Sequence, residues 1–368
     1  MDGSIIDTYT TFGSFYDRML VDVDAAQHRV YVQFFKYEPD AVGQQLGAVL
    51  ARRAKEGVDV RFLYDDFVCH RWRWYYRYLQ SQGVSVAGYA PIHKPLPRFR
   101  DYYRNHRKIV SIDDVAYMGG MNIAERYLHG LGWGCWRDTM IRIEGPSALP
   151  LRNCFLHDWD TCTRSLRPDD RATPTFGQSH IHTAAGASIQ VITSDPNIHD
   201  RSIMLHTVRI LDEAERYVWF ESPYFIPTRE VVESMCRAAR RGVDVRLLQP
   251  PRGDRGEATQ WASKYHYGKV LDAGVRIGVY QPGFLHSKII VSDDHVGVVS
   301  SCNIDPRSYR LCLEVATVVD DADFAVSLRD VFLADEAQST YIDPADWHHR
   351  PIWQRLKENI CNIISSQM

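Results

Sequence analysis

His106-Arg107-Lys108-Ile109-Val110-Ser111-Ile112-Asp113 and His286-Ser287-Lys288-Ile289-Ile290-Val291-Ser292-Asp293 are two copies of one pattern, His-x-Lys-x4-Asp. Each is followed by a small-small-x-Asn turn, Gly119-Gly120-Met121-Asn122 in the first copy and Ser300-Ser301-Cys302-Asn303 in the second. A single His-x-Lys means little in a chain of 368 residues. Two copies 180 residues apart, each with its trailing Asn, point to one site built from two similar halves.

The repeat runs outward from these motifs. Tyr31 to Tyr37 is β-branched and aromatic and predicts a strand, Val42 to Lys55 carries apolar residues at helical spacing, and Gly57 to Tyr64 supplies a stop and a second strand. The later half repeats this order with Tyr217 to Glu221, Glu230 to Arg240 and Gly242 to Leu248, and Gly-Val-Asp-Val-Arg recurs at an offset of 185. Strand–helix–strand order predicts an α/β layered fold with parallel strands under covering helices. The expected division is a first domain over 1–164, a Pro-, Ser- and Thr-rich linker over 165–188, a second domain over 189–340 and a C-terminal tail over 341–368. In the tail, Ile352, Trp353, Leu356, Ile360 and Ile363 share one helical face, which is expected to close the second core in preference to lying on a membrane.

The composition is globular, and a net charge of -3 argues against a protein whose main task is gripping nucleic acid; no nucleic-acid partner is expected. Eight scattered cysteines form no Cys-x-x-Cys, so free thiols in a reducing compartment are expected. No basic segment followed by an apolar run opens the chain, and no stretch of about 18 uncharged apolar residues occurs. Membrane contact, if it exists, is therefore expected to be peripheral.

On a strand, residues i and i+2 share a face, so His106 projects with Lys108 and His286 with Lys288. The small residues of each turn let a phosphate approach the backbone, and Asn122 and Asn303 offer amide donors. Lys108, Lys288, Asn122 and Asn303 thus cradle a tetrahedral anion between two imidazoles. One imidazole attacks phosphorus; the other protonates the leaving oxygen and later deprotonates the incoming hydroxyl. No metal or other cofactor is called for. Each histidine needs an acceptor on its far nitrogen. Asp138, 32 residues after His106, and Glu314, 28 after His286, are the candidates, each on an expected returning strand (Trp136 to Ile143 and Arg310 to Val318). Asp113 and Asp293 complete the two motifs as members of the catalytic set and are expected to satisfy backbone donors near the site. The first loop is one residue short, so Asp113 or Asp114 matches Asp293.

These residues resemble the signature of the phospholipase D superfamily. The likeness to bacterial cardiolipin synthases extends through Tyr103 to Ile109, Ala116 to Ile123, Trp136 to Thr139, Pro223 to Pro227, Tyr280 to His286, Asn303 to Ser308 and Arg350 to Glu358, covering about residues 12 to 364. The resemblance implies two pseudo-symmetric domains sharing one site at their interface. It also implies transfer of a phosphatidyl group from one phosphatidylglycerol to the hydroxyl of another phospholipid through a phosphohistidine, with His106 as nucleophile and His286 as acid and base. Hydrolysis of phospholipids to phosphatidic acid, and a phosphodiesterase acting on nucleic acid, are the alternatives within the superfamily. Many members begin with hydrophobic helices; this chain starts at the catalytic region and reads as a soluble form or a truncation. Cys312 stands where the family usually has Asn.

A lipid substrate calls for a membrane-facing surface on the inner, cytoplasmic face of the cell membrane. His70 to Tyr78 mixes arginines with amphipathic aromatics and reads equally as core or headgroup contact, with Trp72, Trp74 and Tyr76 as the lipid-facing candidates. Pro91 to Arg100, with Lys94, Arg98 and Arg100, is a second candidate for anionic headgroups.

Overall fold

Asp40 shows how sequence sets the local structure: its carboxylate accepts the Gly43 N–H and caps the helix Ala41–Lys55, whose Val42, Leu46 and Leu50 then point into the core. The computed structural model describes residues 4–90, 103–163, 181–182, 188–254 and 257–365. Pro91 to Arg100 and nearly all of 165–188 lie outside these residues.

The first half forms a seven-stranded sheet in the order Ile5–Tyr9, Met140–Glu144, Val115–Gly119, Ile109–Ile112, Arg29–Phe34, Asp59–Asp65, Ser85–Tyr89. The second half repeats that path as Ser188–Ser194, Cys312–Asp320, Val296–Ser300, Ile289–Ser292, Tyr217–Glu221, Asp244–Gln249, Arg276–Tyr280 and extends it with Ile181–His182 and Ser339–Tyr341 at the edges. The expected strand–helix–strand units supply three parallel strands in each sheet. The remaining strands of the shared path are antiparallel, because a tight turn joins each motif strand to the next. That turn is Asp113-Asp114 in the first half and Asp293-Asp294-His295 in the second, which locates the one-residue difference between the copies.

Helices cover both sheets. Phe12, Phe15, Tyr16, Met19 and Val23 of the helix Phe12–Ala25 pack one face of the first sheet, and Ile203, Met204, Val231, Met235 and Tyr267 occupy the matching place on the second. A third core is shared by the halves, joining Ile109, Met118, Ile141 and Leu151 to Leu285, Val299, Leu328 and Phe332.

Two short strands then cross between the halves. Arg104–Asn105 pairs in parallel with Cys312 and Leu313 of the second sheet, and Gly283–Leu285 pairs in parallel with Cys135–Arg137 of the first half. The expected strand from Trp136 to Ile143 is therefore broken at Asp138: its start belongs to the crossing pair and its end, from Met140, to the sheet.

Two surface expectations are corrected. Tyr76 is buried with its hydroxyl donating to the Tyr37 carbonyl and so faces the core; Trp72 is half-buried, resting on the first core under the Arg71 guanidinium, and Trp74 and Tyr78 are exposed. The tail helix Ile352–Ser365 does not bury its apolar stripe. Its inner side is held instead by Glu358, which accepts from Arg350 and Gln354, so an ion pair rather than the stripe meets the body. Tyr76→Ser should cost about 3–5 kcal/mol of stability, the range for emptying a large aromatic site, while Trp74→Ser should stay within about 0.5 kcal/mol; equilibrium denaturant unfolding measures both.

Candidate active site

The crossing strands decide which groups meet. Backbone hydrogen bonds His106 N to Leu313 O (3.0 Å) and His286 N to Arg137 O (2.7 Å) seat each histidine against the opposite half. His106 Nδ1–H then donates to Glu314 at 3.0 Å, and His286 Nδ1–H to Asp138 at 2.5 Å. Both carboxylates thus serve the histidine of the other half, not the one that precedes them in sequence. A carboxylate only accepts, so each Nδ1 carries the proton and each Nε2 keeps its lone pair.

The small-small turns have a different use from the one expected. Gly120 packs on Asp138 so closely that a Cβ there would collide with the carboxylate. At the equivalent position Ser301 donates its hydroxyl to Glu314, and its oxygen accepts the Val315 N–H. The turns make room for, or bond to, the orienting carboxylates.

His106, His286, Asn122 and Asn303 line one open cleft of about 160 Å³, together with Tyr127, Trp136, Tyr224, Asp254 and Cys312. Lys108 and Lys288 are buried beneath it, each ammonium donating to the carbonyl of its own histidine, with Lys288 Nζ 3.0 Å from His286 Nδ1. Phe35 packs edge-on against His106, and Trp136 packs at a tilt against His286, restricting each ring. Asn122 is oriented by the Lys36 N–H on its oxygen and donates to the Tyr127 hydroxyl. The Asn303 oxygen is buried without a hydrogen-bond partner among the described residues. Cys312 keeps its thiol protonated, because burial pushes its pKa up.

Asp113 and Asp293 are not brought to this cleft. Both sit in the turns at the far ends of the motif strands with positive φ. Asp113 accepts from the N–H groups of Gln27, His28 and Arg29, and Asp293 from those of Glu215, Arg216 and Tyr217. Identical contacts make Asp113, not Asp114, the partner of Asp293. Backbone donors are satisfied, though remote from the site rather than beside it. The short loop likewise lies away from the chemistry.

Two buried arginines, to which the sequence assigns no role, support the site. Arg107, inside the first motif, donates to Asp158, to the Glu314 carbonyl and to the Ser194 carbonyl. Arg137 pairs with Asp335 at 2.7 Å and approaches Glu221, whose burial beside Asp335 drives its pKa well up. Each braces one crossing strand, and nothing in the local sequence, His106-Arg107-Lys108 or Trp136-Arg137-Asp138, marks it as buried. Lys36, Arg126 and Arg307 also line the cleft, Lys36 and Arg126 being held by Glu38.

Burial sets the protonation states. It lowers His106 to about 4 against the pull of Glu314, and Lys108 to about 7, with Lys288 adding to the Lys108 shift. His286 and Lys288 are lowered as well, chiefly by burial. Burial pushes Asp138 up, but Lys288 and His286 outweigh it and hold the group low. The resting cleft thus offers neutral imidazoles and lysines that gain from an anion.

Two fused α/β halves sharing one cleft of paired His, Lys and Asn define a phospholipase D-like protein. The family described as "Cardiolipin synthase, PLD-like domain" matches residues 19–159 and 207–335, and the chain belongs to it. The chain is 33% identical over 363 residues to cardiolipin synthase 1 of Staphylococcus epidermidis, covering 98% of this chain and 73% of that protein. It is 31% identical over 355 residues to cardiolipin synthase of Listeria monocytogenes, covering 95% and 72%. Among solved structures, phosphatidylserine synthase of Haemophilus influenzae Rd KW20 superposes with a TM-score of 0.76 at 15% identity over 99% of this chain and 95% of that one. Polyphosphate kinase of Porphyromonas gingivalis gives 0.63 at 13% identity over 93% and 49%. At these identities the structural likenesses establish the shared fold alone.

Gly120→Ala should lower kcat by about 100-fold or more, since a displacement near 1 Å at a reacting group costs that much, and should also cost about 1–3 kcal/mol of stability by overpacking the buried Asp138. A lysine holds a phosphate only as the ammonium, so a phosphate-binding role for Lys108 predicts that kcat/KM falls as pH rises through about 7. A bound anion favours the ammonium, so the alkaline limb of kcat should lie at higher pH than that of kcat/KM; coincident limbs in the two profiles would contradict this assignment.

Proposed function

We propose that the protein moves a phosphatidyl group from one phosphatidylglycerol to the hydroxyl of a second phospholipid, releasing glycerol, through a phosphohistidine. Its family and its near full-length likeness to two cardiolipin synthases make it a phospholipase D-type phosphatidyltransferase. The observation that carries the mechanism is the reciprocal pairing of His106 with Glu314 and His286 with Asp138 on one cleft.

In this reading residues 1–164 and 189–340 are the two catalytic domains, 165–188 joins them and 341–368 is the tail. The Nε2 lone pair of His106 attacks phosphorus and forms a P–N bond, while the P–O bond to glycerol breaks and His286 gives the leaving oxygen its proton. The phosphodiester anion offsets Lys288 and so restores the affinity of His286 for that proton. In the second half-reaction His286 takes the proton of the acceptor hydroxyl, whose oxygen attacks phosphorus and expels His106. Lys108, Lys288, Asn122 and Asn303 hold the non-bridging oxygens, and the buried lysines stabilise the charge that develops on them. His106 keeps a more open ring edge than His286, which suits the attacking group.

The enzyme works peripherally on an anionic bilayer at the cytoplasmic face of the cell membrane. Phospholipid-processing relatives and unpaired cysteines support this placement, and no helix among the described residues is long and apolar enough to cross a membrane. Incubation with phosphatidylglycerol vesicles followed by lipid chromatography should yield cardiolipin and glycerol. Phosphatidic acid instead would mark a hydrolase, and cleavage of added DNA with unchanged lipid a nuclease. His106→Ala should abolish the activity and the acid-labile phosphoenzyme detected by peptide mass; retained turnover would overturn the mechanism.

A further inference from the structure

The tail helix Ile352–Ser365 is amphipathic in the reverse of the usual sense for a helix packed on a globular body. Ile352, Trp353, Leu356, Ile360 and Ile363 are 49–84% exposed on one face. Against the body sits Glu358, only 1% exposed and bonded to Arg350 and Gln354. We propose that this helix docks flat on an anionic phospholipid surface, with the five apolar residues entering the boundary between headgroups and acyl chains.

Charge selects the occupant. The only carboxylate of the helix is the sequestered Glu358, whereas Arg355 and Lys357 are exposed beside the stripe. Lys357 and Lys264 both lie over the Trp261 ring, and Lys357 also over Trp353. Cations on long stems beside interfacial tryptophans can reach anionic headgroups while the rings stay at headgroup depth. The nearby acid, Glu257, is engaged by the Trp261 indole N–H at 3.2 Å. A protein partner would meet the same apolar stripe, but this cationic border fits a surface carrying negative charge throughout.

Position supplies the second argument. The stripe adjoins the helix that borders the catalytic cleft: near the start of Ala258–Leu271, Thr259 lines the cleft and Trp261, two residues on, contacts Trp353 at 6.4 Å between ring centres. A bilayer under the tail helix would therefore lie beside the cleft mouth, where substrates held in that bilayer have to enter. The inference rests on the phosphatidyltransferase reading for its choice of lipid.

The test compares the full chain with an Ile352→Ser/Leu356→Ser/Ile363→Ser variant, whose changed side chains already face solvent. Sedimentation with vesicles of phosphatidylcholine containing phosphatidylglycerol should fall at least about tenfold in the variant. Wild-type binding should also weaken with salt and drop on pure phosphatidylcholine vesicles. Turnover of a short-chain, monomerically dissolved phosphatidylglycerol should be unchanged, which separates docking from catalysis. Unaltered vesicle binding by the variant would overturn the proposal. So would a wild-type dimer in analytical ultracentrifugation that the variant converts to monomer with vesicle binding intact, since the stripe would then join two copies. Helix-dependent binding to the anionic vesicles without turnover of either lipid form would uphold the docking surface and refute the proposed reaction.

Discussion

Two backbone hydrogen bonds, His106 N to Leu313 O and His286 N to Arg137 O, fix the arrangement on which the site depends. They extend two very short parallel strand pairs that tie each half of the chain to the other. Once those pairs form, each histidine lies against a carboxylate 208 or 148 residues away. Neither half alone contains an oriented histidine. The duplicated domain is therefore not two sites side by side but one site that exists only when the halves are docked. Arg107 and Arg137 hold this docking, since each buries a guanidinium against carboxylates and carbonyls close to a crossing strand. Removing one partner from such a buried pair strands an uncompensated charge, which disfavours partly docked states.

The same burial prepares the electrostatics. Two buried lysines, two buried carboxylates and two largely buried neutral histidines lie together at the base of the cleft. Lys108 is displaced to about 7 there, so the empty site meets the cost of its cations partly by weakening their hold on protons. A phosphodiester anion removes that difficulty. In the proposed reaction binding and charging thus reinforce one another, and the lysines assigned to the reacting phosphorus gain charge as the substrate arrives.

Much of this was legible in the chain because it is repeated. Nearly equal spacing of His, Lys and Asn, 16 residues from His106 to Asn122 and 17 from His286 to Asn303, points to the shared site, and the recurring Gly-Val-Asp-Val-Arg to the order of strands, which the two sheets repeat. What escaped was whatever depends on long-range docking. Asp138 and Glu314 were recognised as acceptors, yet nothing local tells a carboxylate that its histidine lies in the other half. Gly120 looked like room for phosphate because a glycine's neighbour is invisible in sequence; the neighbour is Asp138. The tail shows a further limit. Periodicity located the stripe of Ile352 to Ile363 but not the side facing the body, which a single ion pair, Arg350–Glu358, decides.

The imperfections of the repeat then acquire a different meaning. The missing residue falls in the Asp113-Asp114 turn, at the far end of the strand from the histidine, and both turns still bind three backbone N–H groups through the leading Asp. That difference cannot separate the roles of the two histidines. The asymmetry that can do so surrounds the carboxylates. Asp138 is short, receives the Thr139 N–H and lies against Gly120, so His286 meets it at 2.5 Å with Lys288 close by. Glu314 is longer, shares its charge with the Ser301 hydroxyl and meets His106 with both oxygens at 3.0 and 3.1 Å. Each carboxylate thus divides its charge between its histidine and a second donor, and what distinguishes the two sides is Lys288, 3.0 Å from His286 Nδ1, which opposes a second positive charge there until an anion offsets it. Under the proposed reaction this makes His286 the imidazole whose protonation follows substrate binding, the behaviour required of the acid and base.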